Sequence, residues 1–368
     1  MATVSVQLPT TVTPQLFKQL CEAASRAPSP DNNQPWAFRA CEGRVDVFHC
    51  RDRALPSDVR DMFSWTALGA AIENIVLSAS TTGLASQVEY NGRPFARNDG
   101  LEHVATIQFS EGSPVDPLAD WIDARTTNRK LYSSTPIESE VLARLSDSVT
   151  DPDSKITWLS QRADLKQLAK LIGVADRIRF EYRPFHEEFH EVLRYDDEQA
   201  RRSGDGLDLK TLETPAIAGT MFRWLRPWKR MALANRFGLS RLFADYSAKQ
   251  VKRSGAIGLL TTSELSDQGY LEAGRSLQRI WLASTKAGLA FQPLGGLPLF
   301  LTKLGEAGTD TFLPKHAHRL QRAVEPFHRL FPASRDAALV LLFRIGSANS
   351  PSARSYRYSI EKIALPAH

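Results

Sequence analysis

The chain has 368 residues, more than one typical domain needs and comfortable for two. Hydrophobic residues make up 42% and charged residues 24%, an ordinary globular composition that can bury a large core without staples. The net charge of +5 reads as basic residues spread among acidic ones, with no stripe of the kind nucleic-acid binders carry. The three cysteines, Cys21, Cys41 and Cys50, are odd in number and lack C-x-x-C spacing. This argues against a disulfide framework or a zinc ribbon and for reduced thiols.

Residues 1–13 carry no basic region followed by an apolar core, so no secretory leader is expected. The longest apolar run, 337–343, is far short of the roughly 20 residues of a membrane helix. The expectation is a soluble cytoplasmic protein with no membrane span.

Helical spacing runs over 14–26. Strands over 37–40 and 44–49 flank Glu42-Gly43, a hairpin turn signal. An amphipathic helix over 60–82 ends at Gly83 as a C-cap, and strands follow over 86–90 and 104–109. A second unit opens near Asp116 with a helix to about Arg125, a helix over 138–149 and a strand over 155–160. A polar, helix-rich stretch covers 163–252. Then come a strand over 256–262, a helix over 268–287, a strand over 337–345 and a basic tail. Helices alternating with short strands predict a layered mixed fold, α+β or α/β.

One stretch occurs twice. Residues 68–84 align without gaps on 273–289, pairing Gly69 with Gly274, Ile75 with Ile280, Leu77 with Leu282, Gly83 with Gly288 and Leu84 with Leu289, always 205 residues apart. Glycine inside a helix costs about 1 kcal/mol relative to alanine. A close approach of two helices would explain that cost in both copies, as in a pseudo-dimer.

The strongest motif is 27–36, Ala-Pro-Ser-Pro-Asp-Asn-Asn-Gln-Pro-Trp, between a helix and a strand. Its prolines hold hydroxyl, amide and backbone groups at fixed positions, and Trp36 anchors it. A second, Arg125-Thr-Thr-Asn-Arg129, sets two guanidinium groups four apart with hydroxyls between them, chemistry suited to a phosphate.

Together these motifs resemble the FMN-dependent nitroreductase superfamily. Pro28, Ser29, Asn32, Gln34, Pro35 and Trp36 match its P-S-x-x-N-x-Q-P-W flavin loop, with Pro30 departing from the small polar residue often found there. Arg125, Thr127 and Arg129 match its R-x-S-x-R element, Thr standing for Ser. Leu294 and Gly295, within Gln292-Pro-Leu-Gly-Gly296, fall where the family has a P-x-E-G turn at the flavin ring; Gly295 replaces the Glu. Arg354 and Arg357 resemble its C-terminal basic element.

The resemblance implies an α+β, tandem nitroreductase-like fold whose two pseudo-symmetric halves imitate the family homodimer. The halves are 1–115 and 116–368, the second with a helical insertion or lid at about 178–253. It implies one FMN, because the loop motif occurs only in the first half and the R-x-S-x-R element only in the second. Pro28, Ser29, Asn32, Leu294 and Gly295 would face the ring system. Arg125, Thr127, Arg129, Arg354 and Arg357 would hold the phosphate and ribityl chain. The expected activity is electron transfer from NAD(P)H through FMN to a small organic acceptor, with no catalytic side chain named because the chemistry is the flavin's. The alternatives are a redox-silent FMN-binding or storage protein, and a dedicated flavin dehydrogenase or oxidase of a biosynthetic pathway.

Two segments compete with this reading. His186-Glu-Glu-Phe-His190 is a literal H-E-x-x-H. Glu188 sets a charge where zincins are uncharged, Pro184 interrupts the helix and Glu213 stands alone as a third ligand, so a polar helix face is expected and no metal. Residues 221–236 mix Trp224, Trp228 and Phe222 with five basic residues and suit either a membrane surface or an insertion packed over the cofactor cleft. The second is the expectation, with Gly204-Asp205-Gly206 as a flexible joint ahead of it.

Overall fold

The computed structural model describes residues 11–91, 100–214 and 217–366. Residues 1–10, which carry most of the segment read as lacking a leader, lie outside the described residues.

In chain order the first elements are α1 (Pro14–Ser25), β1 (Trp36–Cys41), β2 (Arg44–Cys50), α2 (Met62–Ser80), β3 (Leu84–Tyr90) and β4 (Leu101–Glu111). Next come α3 (Ser139–Ser146), β5 (Ser154–Leu159), α4 (Arg162–Glu181), α5 (Arg183–Val192), β6 (Leu193–Arg194), α6 (Asp197–Ser203) and β7 (Leu207–Asp208). They are followed by α7 (Ile217–Leu225), α8 (Trp228–Arg236), α9 (Leu239–Lys252), β8 (Ala256–Thr262), α10 (Asp267–Lys286) and β9 (Ala290–Pro293). The last are α11 (Gly296–Ala307), α12 (Pro314–Leu330), β10 (Ala338–Gly346), α13 (Ile360–Ile363) and β11 (Ala364–Leu365).

Local chemistry explains the boundaries that the sequence marks. Thr13 caps α1, its hydroxyl accepting from Leu16 N at 3.2 Å, with Pro14 in the first helical position. Cys41 pairs with Arg44 across a two-residue turn in which Gly43 takes φ 70°, the left-handed geometry that tight hairpins require. The expected helix toward Arg125 is only a 3-10 turn, Ala119–Trp121. Asp116 draws the chain into a turn instead, its carboxylate accepting from Leu118 N at 2.9 Å and its carbonyl from Ala119 N at 3.0 Å.

The fold is α+β, with two main sheets. One has the order β11-β1-β2-β4-β3, antiparallel except where β11 joins β1 in parallel. The other, β5-β8-β10-β9, is antiparallel throughout. Among the described residues the last strand thus pairs with the first.

Between the sheets α2 and α10 pack together. A Cβ on Gly69 would stand 1.9 Å from Leu271 O, and one on Gly274 would stand 2.2 Å from Thr66 O. Thr66 and Leu271 are themselves 205 apart, so each helix meets the other through the same two positions, the form of an isologous contact. Glu73, almost fully buried, holds Arg275 at 2.9 Å and Arg279 at 2.8 Å across this crossing. Residues 59–80 form the one helical stretch among the described residues that is long and apolar enough to cross a membrane, and 89% of its most apolar window is buried in the fold.

Candidate functional site

A cleft with a cavity of about 380 Å³ opens where α2, α10, α4, α5, α9 and the N-terminus of α11 converge, a size ordinary for a small-molecule site. A smaller basic pocket of about 40 Å³ adjoins it and shares Arg125, Thr127, Arg129 and Arg357 with it. The ten residues singled out in the sequence gather here. Pro28, Ser29, Asn32, Arg125, Thr127, Arg129, Leu294, Gly295 and Arg357 line the cleft, and Arg354 lines the adjoining pocket.

The loop 28–34 is held in an unusual backbone. Asp31, Asn32 and Gln34 take φ of 45°, 62° and 49°, a region that non-glycine residues enter only when surrounding bonds enforce it. Ser29 Oγ accepts from Gln34 N at 3.0 Å. Gln34 Nε2 donates to Gly204 O at 2.9 Å, and its Oε1 accepts from Tyr358 N at 2.9 Å. Asn32 Nδ2 donates to Gly206 O and Tyr356 O, at 3.2 and 3.0 Å, while its Oδ1 accepts from Arg357. The amides of Asn32 and Gln34 therefore fasten the loop to the insertion and to the C-terminal tail, and Ser29, Pro30 and Asp31 are left on the cavity wall.

The same bonds correct the flexible joint expected at 204–206. Gly204 and Gly206 both sit at φ 70°, and a Cβ on Gly206 would stand 2.4 Å from Val192 O. Asp205 accepts from Arg194 and from the Tyr358 hydroxyl, the latter at 2.9 Å. The glycines serve a docked turn.

At the basic end, Arg125 is 5% exposed and lies over the Trp281 ring at 4.5 Å. Its Nε and Nη2 donate to Arg26 O, at 3.2 and 2.7 Å, and its buried Nη1 has no partner among the described residues. Burial, then the charges of Arg357, Arg354 and Arg26, pushes its pKa well below the ordinary arginine value. Arg354 donates to Arg125 O at 2.9 Å, and Arg357 to Ser25 O and Ala27 O at 2.7 and 3.2 Å. Among the described residues, Arg26 alone of these four cations pairs with a carboxylate, Asp123 at 3.0 Å. Arg129 donates to Thr211 O at 3.0 Å. A buried guanidinium with an unused N–H, beside half-buried Arg129 and Arg357 and exposed Arg354, favours an anion. This donor set suits a phosphate.

The sequence reading misses what holds this end. Arg344, fully buried in β10, donates to Gln292 Oε1 and Lys130 O, both at 2.6 Å, and stacks on Tyr132 at 3.7 Å. It locks β9 and the 128–132 segment that carries Arg129. A charge inside the strand read over 337–345, directly after the apolar run 337–343, is the signal that points to it.

The far wall is acidic. Asp58 accepts from Phe63 N at 3.0 Å and from Ser64 N and Oγ at 2.9 Å, capping the start of α2; burial raises its pKa to about 6 despite these bonds. Glu188 of α5 accepts from Ser57 N at 2.8 Å and from Ser57 Oγ, and burial raises it as well. Burial also raises Asp176 of α4. Phe185, Phe300 and Leu299 supply apolar surface beside them. Asp58 and Asp176 lie in no recognisable motif, and Glu188 lies within the H-E-x-x-H stretch.

Glu187 of the H-E-x-x-H stretch pairs with Arg183 at 2.8 Å, and Glu188 turns into the cleft. His186 Nε2 meets Arg226 O at 3.1 Å and His190 Nδ1 meets the Tyr195 hydroxyl at 2.5 Å. Among the described residues no three His, Cys, Asp or Glu side chains come together as a metal site. The insertion is split in role. Residues of α5 and α9, including Glu188, Phe189, Ser247 and Gln250, line the cleft, whereas none of 221–236, expected over the cleft, does. That segment packs outward on α5 and α9 instead.

No family model matches the chain. It is 25% identical over 341 residues to "Uncharacterized protein MT1398" of Mycobacterium tuberculosis (strain CDC 1551 / Oshkosh), covering 92% of this chain and 46% of that one. It is 30% identical over 169 residues to "Putative NAD(P)H nitroreductase acg" of Mycobacterium tuberculosis (strain ATCC 25618 / H37Rv), covering 44% of this chain and 50% of that one. The chain spans about half the length of these curated relatives. Among solved structures, a "putative nitroreductase" from Anabaena variabilis ATCC 29413 aligns over 91% of this chain and 88% of its own, with 11% identity and a TM-score of 0.46.

Proposed function

The chain is a sequence relative of the nitroreductase superfamily, and we propose that it binds one FMN in the cleft and passes electrons from NAD(P)H through it to a small organic acceptor. The observation that carries this reading is the buried Nη1 of Arg125, without a partner among the described residues, amid Arg354 and Arg357, at the end of a cavity that also presents the apolar and aromatic surface of Phe63, Leu277, Trp281 and Leu294.

In this reading Arg125, Thr127, Arg129 and Arg354 hold the phosphate and ribityl chain. Arg357 holds the loop that faces the ring, and Pro28, Ser29 and Asn32 form one ring wall. Leu294 and Gly295 form another, at the N-terminus of α11, where backbone N–H groups and the helix dipole favour negative charge on the ring. Gly295 fits without a side chain, since a Cβ there would stand 3.1 Å from the Phe63 ring. The bound flavin supplies hydride and electron transfer. The protein orients it and limits water through α5 and α9. The two halves, 1–115 and 116–368, are read as products of a duplication, supported by the reciprocal contacts of Gly69 and Gly274. We place the protein in the cytoplasm.

A second reading, a redox-silent flavin-binding protein, is favoured by Gly295 in place of the family glutamate. One experiment separates them. The visible spectrum of the purified protein is recorded before and after anaerobic NADPH and NADH. A band at about 450 nm that bleaches supports the oxidoreductase. A band that persists with both donors supports the second reading. No band, even after FMN is added, ends both.

A further inference from the structure

The positive charge is far less evenly spread than the sequence reading expects. Residues 217–252 hold eight Lys or Arg and one acid, Asp245, a net +7. Against +5 for the whole chain, the remainder sums to −2. Among the described residues none of these eight basic side chains forms an ion pair.

A second observation is independent of charge. Nine large apolar residues are exposed among the described residues, and six of them lie between 217 and 246. Phe237 is 87% exposed and Ile217 77%, with Trp224, Leu233 and Leu242 each more than half exposed. They sit on outward stripes of three consecutive helices, α7, α8 and α9, whose inward positions Phe222, Leu225, Met231 and Ala244 are buried. Within α8 and its end, Lys229, Leu233, Arg236 and Phe237 share one face at helical spacing. An apolar patch of this kind marks an interaction surface.

We propose that α7–α9 form a docking surface for an anionic lipid bilayer. Exposed aliphatic side chains such as Ile217, Leu233 and Leu242 gain nothing against a phosphate backbone, but they gain hydrocarbon burial at a bilayer interface. Trp224 beside Arg223 is the pairing that the headgroup level favours. A second copy of the chain is the poorer occupant, because a two-fold contact would set two +7 stripes against each other. Apolar insertion and unpaired basic charge are the two signals that stable but reversible membrane attachment needs. The surface adjoins the cleft: α9 carries Leu242 and Tyr246 outward and Ser247 and Gln250 on the cleft wall.

The test is co-sedimentation of the full chain with vesicles of phosphatidylcholine alone or mixed with phosphatidylglycerol, at low and high salt. The expected result is pelleting with the mixed vesicles only, weakened by salt. The triple variant K229Q/R236Q/R241Q should lower the partition coefficient about a hundredfold, at about fivefold per basic residue. Phe237→Ser should lower it about tenfold. Both sets are solvent-exposed, so the thermal midpoint should not move. Failure to pellet with anionic vesicles overturns the proposal, as does pelleting that both variants leave intact. A dimer in size-exclusion chromatography that Phe237→Ser dissolves would assign the surface to a second copy, and retention of single-stranded DNA in place of vesicles would assign it to nucleic acid; either overturns the proposal.

Discussion

The two halves are alike where they touch each other and unlike where they face the cleft. At the crossing of α2 and α10, Gly69 and Gly274 meet Leu271 and Thr66 through the same 205-residue offset. Yet α2 is buried on nearly every side, whereas α10 carries Arg275 and Arg279 along one edge. At the cleft the first half offers the constrained loop Pro28 to Asn32, and the second offers the arginines. The crossing tolerates one geometry on both sides because two backbones approach closely there. A ligand wall is under no such symmetric constraint, so its two sides can differ.

The largest effect tests the likeness. Gly69→Ala and Gly274→Ala each force a Cβ to within about 2 Å of a carbonyl, at 1.9 and 2.2 Å. Each should cost at least about 3 kcal/mol, the upper range for overpacking, read as a lower urea midpoint. Equal intolerance upholds the reciprocal contact. A variant at either position that unfolds like the wild type would break it.

The next effect tests the difference. Arg125→Met removes the guanidinium with the unpartnered Nη1. FMN affinity, read by quenching of flavin fluorescence on titration, should fall about a hundredfold, within the ~2–5 kcal/mol of a buried charged partner. Ser29→Ala should cost about tenfold at most, since its hydroxyl already accepts from Gln34 N. If Ser29→Ala costs more than Arg125→Met, then shape in the first half outweighs charge in the second and the division of labour is wrong.

What was legible in the sequence follows the same divide. The loop 28–36 and Arg125–Arg129 are each continuous in sequence, so local spacing reveals them, and the paired glycines reveal the crossing of α2 and α10. The acidic wall is built from Asp58, Asp176 and Glu188, far apart in sequence, and no local pattern brings them together; the H-E-x-x-H stretch marks Glu188 alone and points to a metal rather than to this wall. Helices α11 and α12 leave a weak mark in the sequence, because Gly296 and Pro298 open the first and Pro326 sits inside the second. The outward course of 221–236 depends on which side of α5 and α9 it packs, a tertiary choice that amphipathicity alone leaves open. The tail's return to β1 through Ala364 and Leu365 is likewise long-range.

The smallest effect concerns the acidic wall. Burial raises Asp58 to about 6 from an ordinary 3.8, with Asp61 adding to the shift and the bonds from Phe63 and Ser64 opposing it. A carboxyl raised in the folded state binds its proton more tightly there than in the unfolded chain. Its contribution to stability is therefore full below about pH 4 and is lost as pH rises through about 6, a change on the order of 2–3 kcal/mol. Asp46, lowered to about 2, has the opposite sign and acts only at lower pH. Asp58→Asn cannot titrate, yet it keeps an oxygen for the Phe63 N–H. At pH 4 the variant should be about 1 kcal/mol less stable than the wild type, for the weaker Ser64 contact. By pH 7 the gap should close or reverse. Urea unfolding of both proteins at pH 4, 5, 6 and 7 measures it. Parallel curves would mean that Asp58 titrates alike in the folded and the unfolded chain, so that burial does not hold its proton and the carboxylate stands charged in the cleft wall well below pH 6.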